Sequence, residues 1–195
     1  MKIGVLALQG AFIEHVKLLR RLGVDAVEVR LPKDLADLDG LIIPGGESTT
    51  IGKLAVKYGL IDPLHKFASE NPTWGTCAGM IFLAKNLGQN KQPILGLMDI
   101  EVDRNAFGRQ IDSFETDLDI AVLEDEAPYH AVFIRAPVVT HADANVTVLG
   151  TLADGRIIAV QQGHLLATAF HPELTDDPRF HQYFLNLVKA EKKTH

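Results

Sequence analysis

The chain predicts an α/β fold, a three-layer sandwich around a mostly parallel central sheet. Three observations carry this. Short apolar runs of strand length recur at residues 3–8, 26–29 and 40–43, longer amphipathic stretches separate them, and glycines punctuate the joins. Strands separated by helices must be linked by right-handed crossovers, and these bury a parallel sheet on both faces.

Taken in order, residues 3–8 form the first buried strand, and residues 11–22 a helix that Gly23 closes from the C-terminal side. Residues 26–29 and 40–43 give the second and third strands, the third ending in Pro44-Gly45-Gly46. Helices are expected over about 49–58 and 63–69, followed by a short strand leading to Cys77 and an apolar helical run at 80–84. The second half reads as richer in strands, at 97–102, 118–122, 132–134, 146–149, 157–160 and 165–170, some of them an antiparallel extension of the sheet. The last helix is the best marked. Asp176 or Asp177 can cap it, Pro178 suits its first turn, and Phe180, Tyr183, Phe184, Leu187 and Val188 form one apolar stripe.

Composition narrows the function classes. The 195 residues suit one domain with a sizeable core, spanning 1–195. A formal charge of −6 argues against nucleic-acid binding, which rewards Lys and Arg. The apolar N-terminus is too short for a signal peptide and reads as a strand. No apolar run approaches the roughly 20 residues of a membrane helix. A lone cysteine cannot form an internal disulfide, which fits a reducing cytoplasm. No Cys or His cluster has metal-ligand spacing, so neither a metal nor a cofactor is expected.

Chemistry concentrates in four segments. Gly75-Thr76-Cys77-Ala78-Gly79 sets a nucleophile between two glycines, after a strand and before a helix, the layout of a nucleophile elbow. The helix start favours thiolate over thiol; the alternative is a buried structural cysteine. In Phe170-His171-Pro172-Glu173, His171 ends a strand, where open α/β sheets place their sites, and Glu173 is spaced to reach its far ring nitrogen. A thiol nucleophile needs such a base, and the base needs an orienting partner. The other histidines, His15, His65, His130, His141, His164, His181 and His195, read as surface or packing residues.

The third segment, Pro44-Gly45-Gly46-Glu47-Ser48-Thr49, can turn backbone N–H groups toward an oxyanion, or be a plain tight turn. In the fourth, Arg104-Asn105-Ala106-Phe107-Gly108-Arg109-Gln110, an arginine can clamp a carboxylate, the alternative being a solvated loop. Arg135, in Phe133-Ile134-Arg135-Ala136-Pro137, has the same two readings.

With these segments in view, the chain resembles the class I glutamine amidotransferases over its whole length. Within them it is most similar to the glutaminase subunits of pyridoxal 5′-phosphate synthase. The elbow and His171-Pro172-Glu173 are general to the class, and the Pro44–Thr50, Arg104–Gln110 and Phe133–Pro137 segments narrow it. The resemblance implies a flavodoxin-like domain in which Cys77 attacks the glutamine amide, His171 moves the proton and Glu173 orients His171. It implies an oxyanion hole from the N–H groups of Gly46 and Ala78. It also implies a glutamine site lined by Gly46, Glu47, Ser48, Arg104, Ile134 and Arg135. The implied partner is a separate (β/α)₈ synthase subunit, twelve copies of each, which uses the ammonia to make pyridoxal phosphate and whose docking completes the oxyanion hole. A barrel needs about 250 residues, more than this chain has. Trp74 and Gln161 depart from the family pattern, which has Phe and Lys there. Rival readings are another amidotransferase of the class, a cysteine hydrolase or redox protein on a similar sheet, and a non-catalytic subunit with a vestigial site.

Overall fold

The computed structural model describes residues 1–104, 113–123 and 127–193. The first half alternates as expected: β1 (Lys2–Leu6), α1 (Phe12–Arg21), β2 (Asp25–Val29), β3 (Gly40–Ile43), α2 (Ser48–Lys57), α3 (Ile61–Glu70), β4 (Thr73–Thr76) and α4 (Ala78–Leu83). The second half holds β5 (Ala84–Asn86), β6 (Met98–Asp103), β7 (Ser113–Leu118), β8 (Tyr129–Ile134), β9 (Val138–Ala142), β10 (Thr147–Thr151), β11 (Ile157–Gln162), β12 (Leu165–Thr168) and α5 (Arg179–Lys192).

The main sheet has the order β2-β1-β3-β4-β12-β11-β9-β6-β5, with β10 on β11, and β7 and β8 form a separate hairpin. Pairing from β2 through β12 is parallel, and β11 and β9 run antiparallel to their neighbours, which is the expected extension. The C-terminal ends of β3, β4 and β12 therefore lie side by side, beside the point where strand order reverses at β1. Open α/β sheets carry their ligands at such a place.

Alternation along β4 assigns the layers. Trp74 points toward α5, meeting the rings of Phe180 and Phe184 at 6.3 and 5.7 Å between centroids. Its neighbour Gly75 points the other way, toward α4, where a β-carbon would stand 2.4 Å from the Gly79 carbonyl. A β-carbon on Gly79 would in turn stand 2.0 Å from the Ile43 carbonyl, so both glycines of the elbow are required by close packing. One buried apolar cluster runs from Ile3 to Val188.

Some expected elements differ. Residues 118–122 are not a strand; β7 ends at Leu118. Along it Ser113, Glu115 and Asp117 face outward while Phe114, Thr116 and Leu118 face inward, in register with β8, and that alternation outweighs the apolar run that follows. The half-buried strands β5 and β9 carry no long apolar run and were not anticipated. In α5, Asp177 accepts the Arg179 N–H at 3.0 Å, while Asp176 is exposed and pairs with Arg21. Phe180, Phe184 and Val188 are buried, but His181 and Leu185 join them, whereas Tyr183 and Leu187 are only partly covered.

Candidate active site

Cys77 stands between β4 and α4 with φ 47° and ψ −101°, the strained backbone of an elbow. Its N–H donates to the Thr168 carbonyl of β12 at 2.8 Å, and its Sγ faces the Ile134 carbonyl at 3.8 Å. Ala78 opens α4, so its N–H is among those without an intrahelical acceptor.

His171 follows β12, and its N–H is held by the Val132 carbonyl of β8 at 2.8 Å. Pro172 starts a single 3₁₀ turn, closed by the Leu174 N–H on the His171 carbonyl, which folds Glu173 back beneath the imidazole. The imidazole Nδ1–H donates to Oε1 of Glu173 at 2.7 Å. Gly45 shows how closely the parts meet. A β-carbon there would stand 2.4 Å from Cε1 of His171 and 3.3 Å from Cβ of Cys77, so the turn after β3 fits against both only as glycine.

Burial works against a charge on His171, but Cys77 and Glu173 together outweigh it and raise its pKa to about 10. Burial likewise opposes ionisation of Glu173, and its histidine neighbours His15 and His171 override that, holding the carboxyl below its usual range. The result is an ionised Glu173 under an imidazole that holds a proton readily beside a thiol, an arrangement able to move a proton to and from a group attached to sulfur.

Of the expected glutamine-site residues, Glu47, Ser48 and Arg104 form a second cluster along the same turn. The Glu47 carboxylate caps α2, accepting from the Thr49 and Thr50 N–H groups at 3.0 and 2.7 Å. Partial burial of Glu47 is outweighed by these bonds and by the Thr50 hydroxyl, and its pKa falls to about 2. Arg104 reaches Glu47 Oε1 at 3.4 Å and donates to Oε1 of Gln92 at 2.6 Å. The same Gln92 oxygen accepts from Ser48 at 3.2 Å and Thr49 at 3.3 Å. Gln9 latches the turn, its Oε1 accepting the Glu47 N–H at 2.8 Å. Arg135 follows β8 with φ 45°, turning the chain just after the Ile134 carbonyl that faces Cys77. Asn105 to Gln110 lie outside the described residues.

Four residues near these clusters were not read from the sequence as site residues. Gln9 and Gln92 sit in irregular segments with no periodic signal. His15 and His181, read as surface or packing residues, are fully buried beneath Glu173: His15 Nε2 lies 3.4 Å from Glu173 Oε2, and His15 Nδ1 lies 2.9 Å from His181 Nε2. Trp74, the departure before the elbow, closes this region. Its Nε1–H donates to Thr168 at 3.1 Å, and the edges of His15 and His181 meet it at 5.8 and 4.9 Å. Gln161 is held by the Tyr183 hydroxyl and the Gly163 carbonyl on the sheet surface.

Comparison with known proteins places the chain in a family. The profile of the SNO glutamine amidotransferase family matches residues 5–190. A Herpetosiphon aurantiacus protein named pyridoxal 5′-phosphate synthase subunit PdxT is 60% identical over 96% of this chain and its own full length. The Desulforamulus reducens protein of the same name is 58% identical over 97% of this chain and its own full length. A crystal structure of a glutamine amidotransferase superposes with a TM-score of 0.89 at 52% identity, covering 96% of this chain and 98% of that one. With the family profile spanning nearly the whole sequence and the elbow, histidine and carboxylate gathered at one sheet end, the chain belongs to the SNO glutamine amidotransferase family.

Proposed function

We propose that this chain hydrolyses L-glutamine to L-glutamate and ammonia through Cys77, His171 and Glu173, as the glutaminase subunit of a pyridoxal 5′-phosphate synthase. The observation that carries it is the 2.7 Å bond from His171 to Glu173, made where the His171 ring and Cys77 both press on Gly45. Sulfur attacks the side-chain carbonyl carbon of glutamine, and the thiol proton resides on His171. The N–H groups of Gly46 and Ala78 receive the oxyanion. Collapse breaks the C–N bond, His171 gives its proton to the departing nitrogen, and ammonia leaves a glutamyl thioester. Water then attacks the thioester, passing a proton to His171. The C–S bond breaks, and glutamate leaves as the thiol is restored. Gly46, Glu47, Ser48, Arg104, Ile134 and Arg135 line the glutamine site. Arg104 offers its guanidinium to the substrate carboxylate.

The pathway rests on the relatives named as synthase subunits. The ammonia goes to a barrel-shaped synthase subunit, twelve of each forming the assembly, and the chain works in the cytoplasm. Among the described residues no helix is long and apolar enough to cross a membrane. The test is ammonia release from glutamine by the purified chain, with and without such a synthase subunit. Stimulation by the partner supports both chemistry and pathway. Release indifferent to it removes the partner, and no release in either case removes the chemistry.

A further inference from the structure

A carboxylate that orients a catalytic imidazole has two oxygens, and the second needs a partner when buried. In Glu173 the first oxygen takes the Nδ1–H of His171 at 2.7 Å, while the second is buried without a full hydrogen bond, and Nε2 of His15 stands 3.4 Å from it. His15 comes from α1, and its other nitrogen meets Nε2 of His181, from α5, at 2.9 Å. Three elements remote in sequence thus place a file of side chains, His181, His15, Glu173 and His171, ending at Cys77.

The direction of the file follows from which groups lack partners. Nδ1 of His181 is buried with no hydrogen-bond partner. If His15 donated to His181, that Nδ1 would carry a hydrogen with nothing to receive it, and a bare Nε2 of His15 would confront the carboxylate lone pairs. If instead His181 donates from Nε2, its partnerless Nδ1 is an unprotonated acceptor, the lesser loss. His15 then accepts at Nδ1 and directs its Nε2–H at Glu173 Oε2 and at the Thr76 hydroxyl, 3.4 Å away. Burial keeps both rings uncharged, aided by His181 and His171 at His15 and by Arg21 at His181, the pKa of each falling to about 3. What His15 supplies is therefore an oriented N–H dipole.

Resting on the reading of Cys77, His171 and Glu173 as the catalytic site, we infer that His15 is a positioning residue for glutamine hydrolysis, its Nε2–H pinning the second oxygen of Glu173 in the tautomer that His181 sets. With that oxygen held, Glu173 cannot rotate away from His171, and the carboxylate stays anionic without capturing the proton His171 must deliver.

The test compares His15→Met, which keeps bulk but no N–H, with His15→Gln, whose amide N–H lies near the place of Nε2. Each is made in the wild-type and Glu173→Gln backgrounds and assayed for ammonia release with the synthase subunit bound. His15→Met is expected to lower kcat by about tenfold or more with the KM for glutamine unchanged, because a small misplacement of a catalytic group acts on the chemical step. His15→Gln should recover most of that loss. In the Glu173→Gln background, His15→Met should cost almost nothing further, since residues acting through one another are non-additive. Wild-type kcat in His15→Met, or the same fold loss in both backgrounds, overturns the inference. If His15→Met does not fold, His181→Leu carries the same comparison with a smaller loss expected. Glu173→Gln showing no loss would instead sink the catalytic reading, a distinguishable outcome.

Discussion

Gly45 and His171 touch across the gap between β3 and β12 so closely that a β-carbon on the glycine would stand 2.4 Å from the imidazole Cε1. The strand-end turn and the His171 ring are fitted to one another. Gly45→Ala is expected to displace either the ring or the turn, lowering kcat for glutamine by about a hundredfold while the chain stays folded by circular dichroism. Unchanged kinetics would mean that the ring has room to move.

His171 also couples the site to stability. Its pKa in the folded protein is raised to about 10 from an ordinary 6.5. The stabilisation is therefore complete below 6.5 and lost as pH rises through about 10. The melting temperature should fall across that window, and much less so in Cys77→Ala, which removes a main cause of the shift. Parallel profiles for the two proteins would contradict the coupling.

The acid side has the opposite sign. His15 and His181 are held uncharged, with pKa about 3 against 6.5 when unfolded, so unfolding takes up protons and stability drains as pH falls from 6.5 toward 3. Replacing His181 by Phe should flatten the pH dependence of the melting temperature over that range. A profile as steep as that of wild type would show that carboxylates alone govern it.

Trp74 fills its place with one hydrogen bond, from Nε1 to Thr168. Trp74→Phe leaves the Thr168 hydroxyl short of a partner and should cost about 1–3 kcal/mol. Differential scanning calorimetry would read this as a melting point lower by several degrees. Glutamine turnover should change little.

Gln92 gathers Ser48, Thr49 and Arg104 on one oxygen. Gln92→Ala should release Arg104 and raise the KM for glutamine about tenfold, with kcat affected less. A loss in kcat alone would place Gln92 in the chemistry instead of in binding.

What was legible in the sequence was local. Gly75-Thr76-Cys77-Ala78-Gly79 carries its geometry in five adjacent residues, and His171 with Glu173 needs only one 3₁₀ turn to close. Most of the parallel half was legible because β1, β3 and β12 are largely apolar runs, whereas β4, Thr-Trp-Gly-Thr, was legible only from its place before the elbow. His15 and His181 were not, because a histidine on the inner face of an amphipathic helix looks like any packed residue, and only the meeting of α1 with α5 beneath β4 joins the two to Glu173. Gln92 had no periodic signal, since its role comes from the docking of one irregular segment against Arg104 and the start of α2. The strand expected at 118–122 failed because β7 earns its place by alternation with exposed acids, a weaker mark than an apolar run.

The central claim is a thioester on Cys77. Turnover with glutamine and the synthase subunit, quenched rapidly in acid and digested, should yield the Cys77 peptide carrying one glutamyl group by mass spectrometry. The adduct should be absent from Cys77→Ala, which should also release no ammonia. Ammonia released by Cys77→Ala at the wild-type rate, or a glutamyl group found on another residue, would contradict the account.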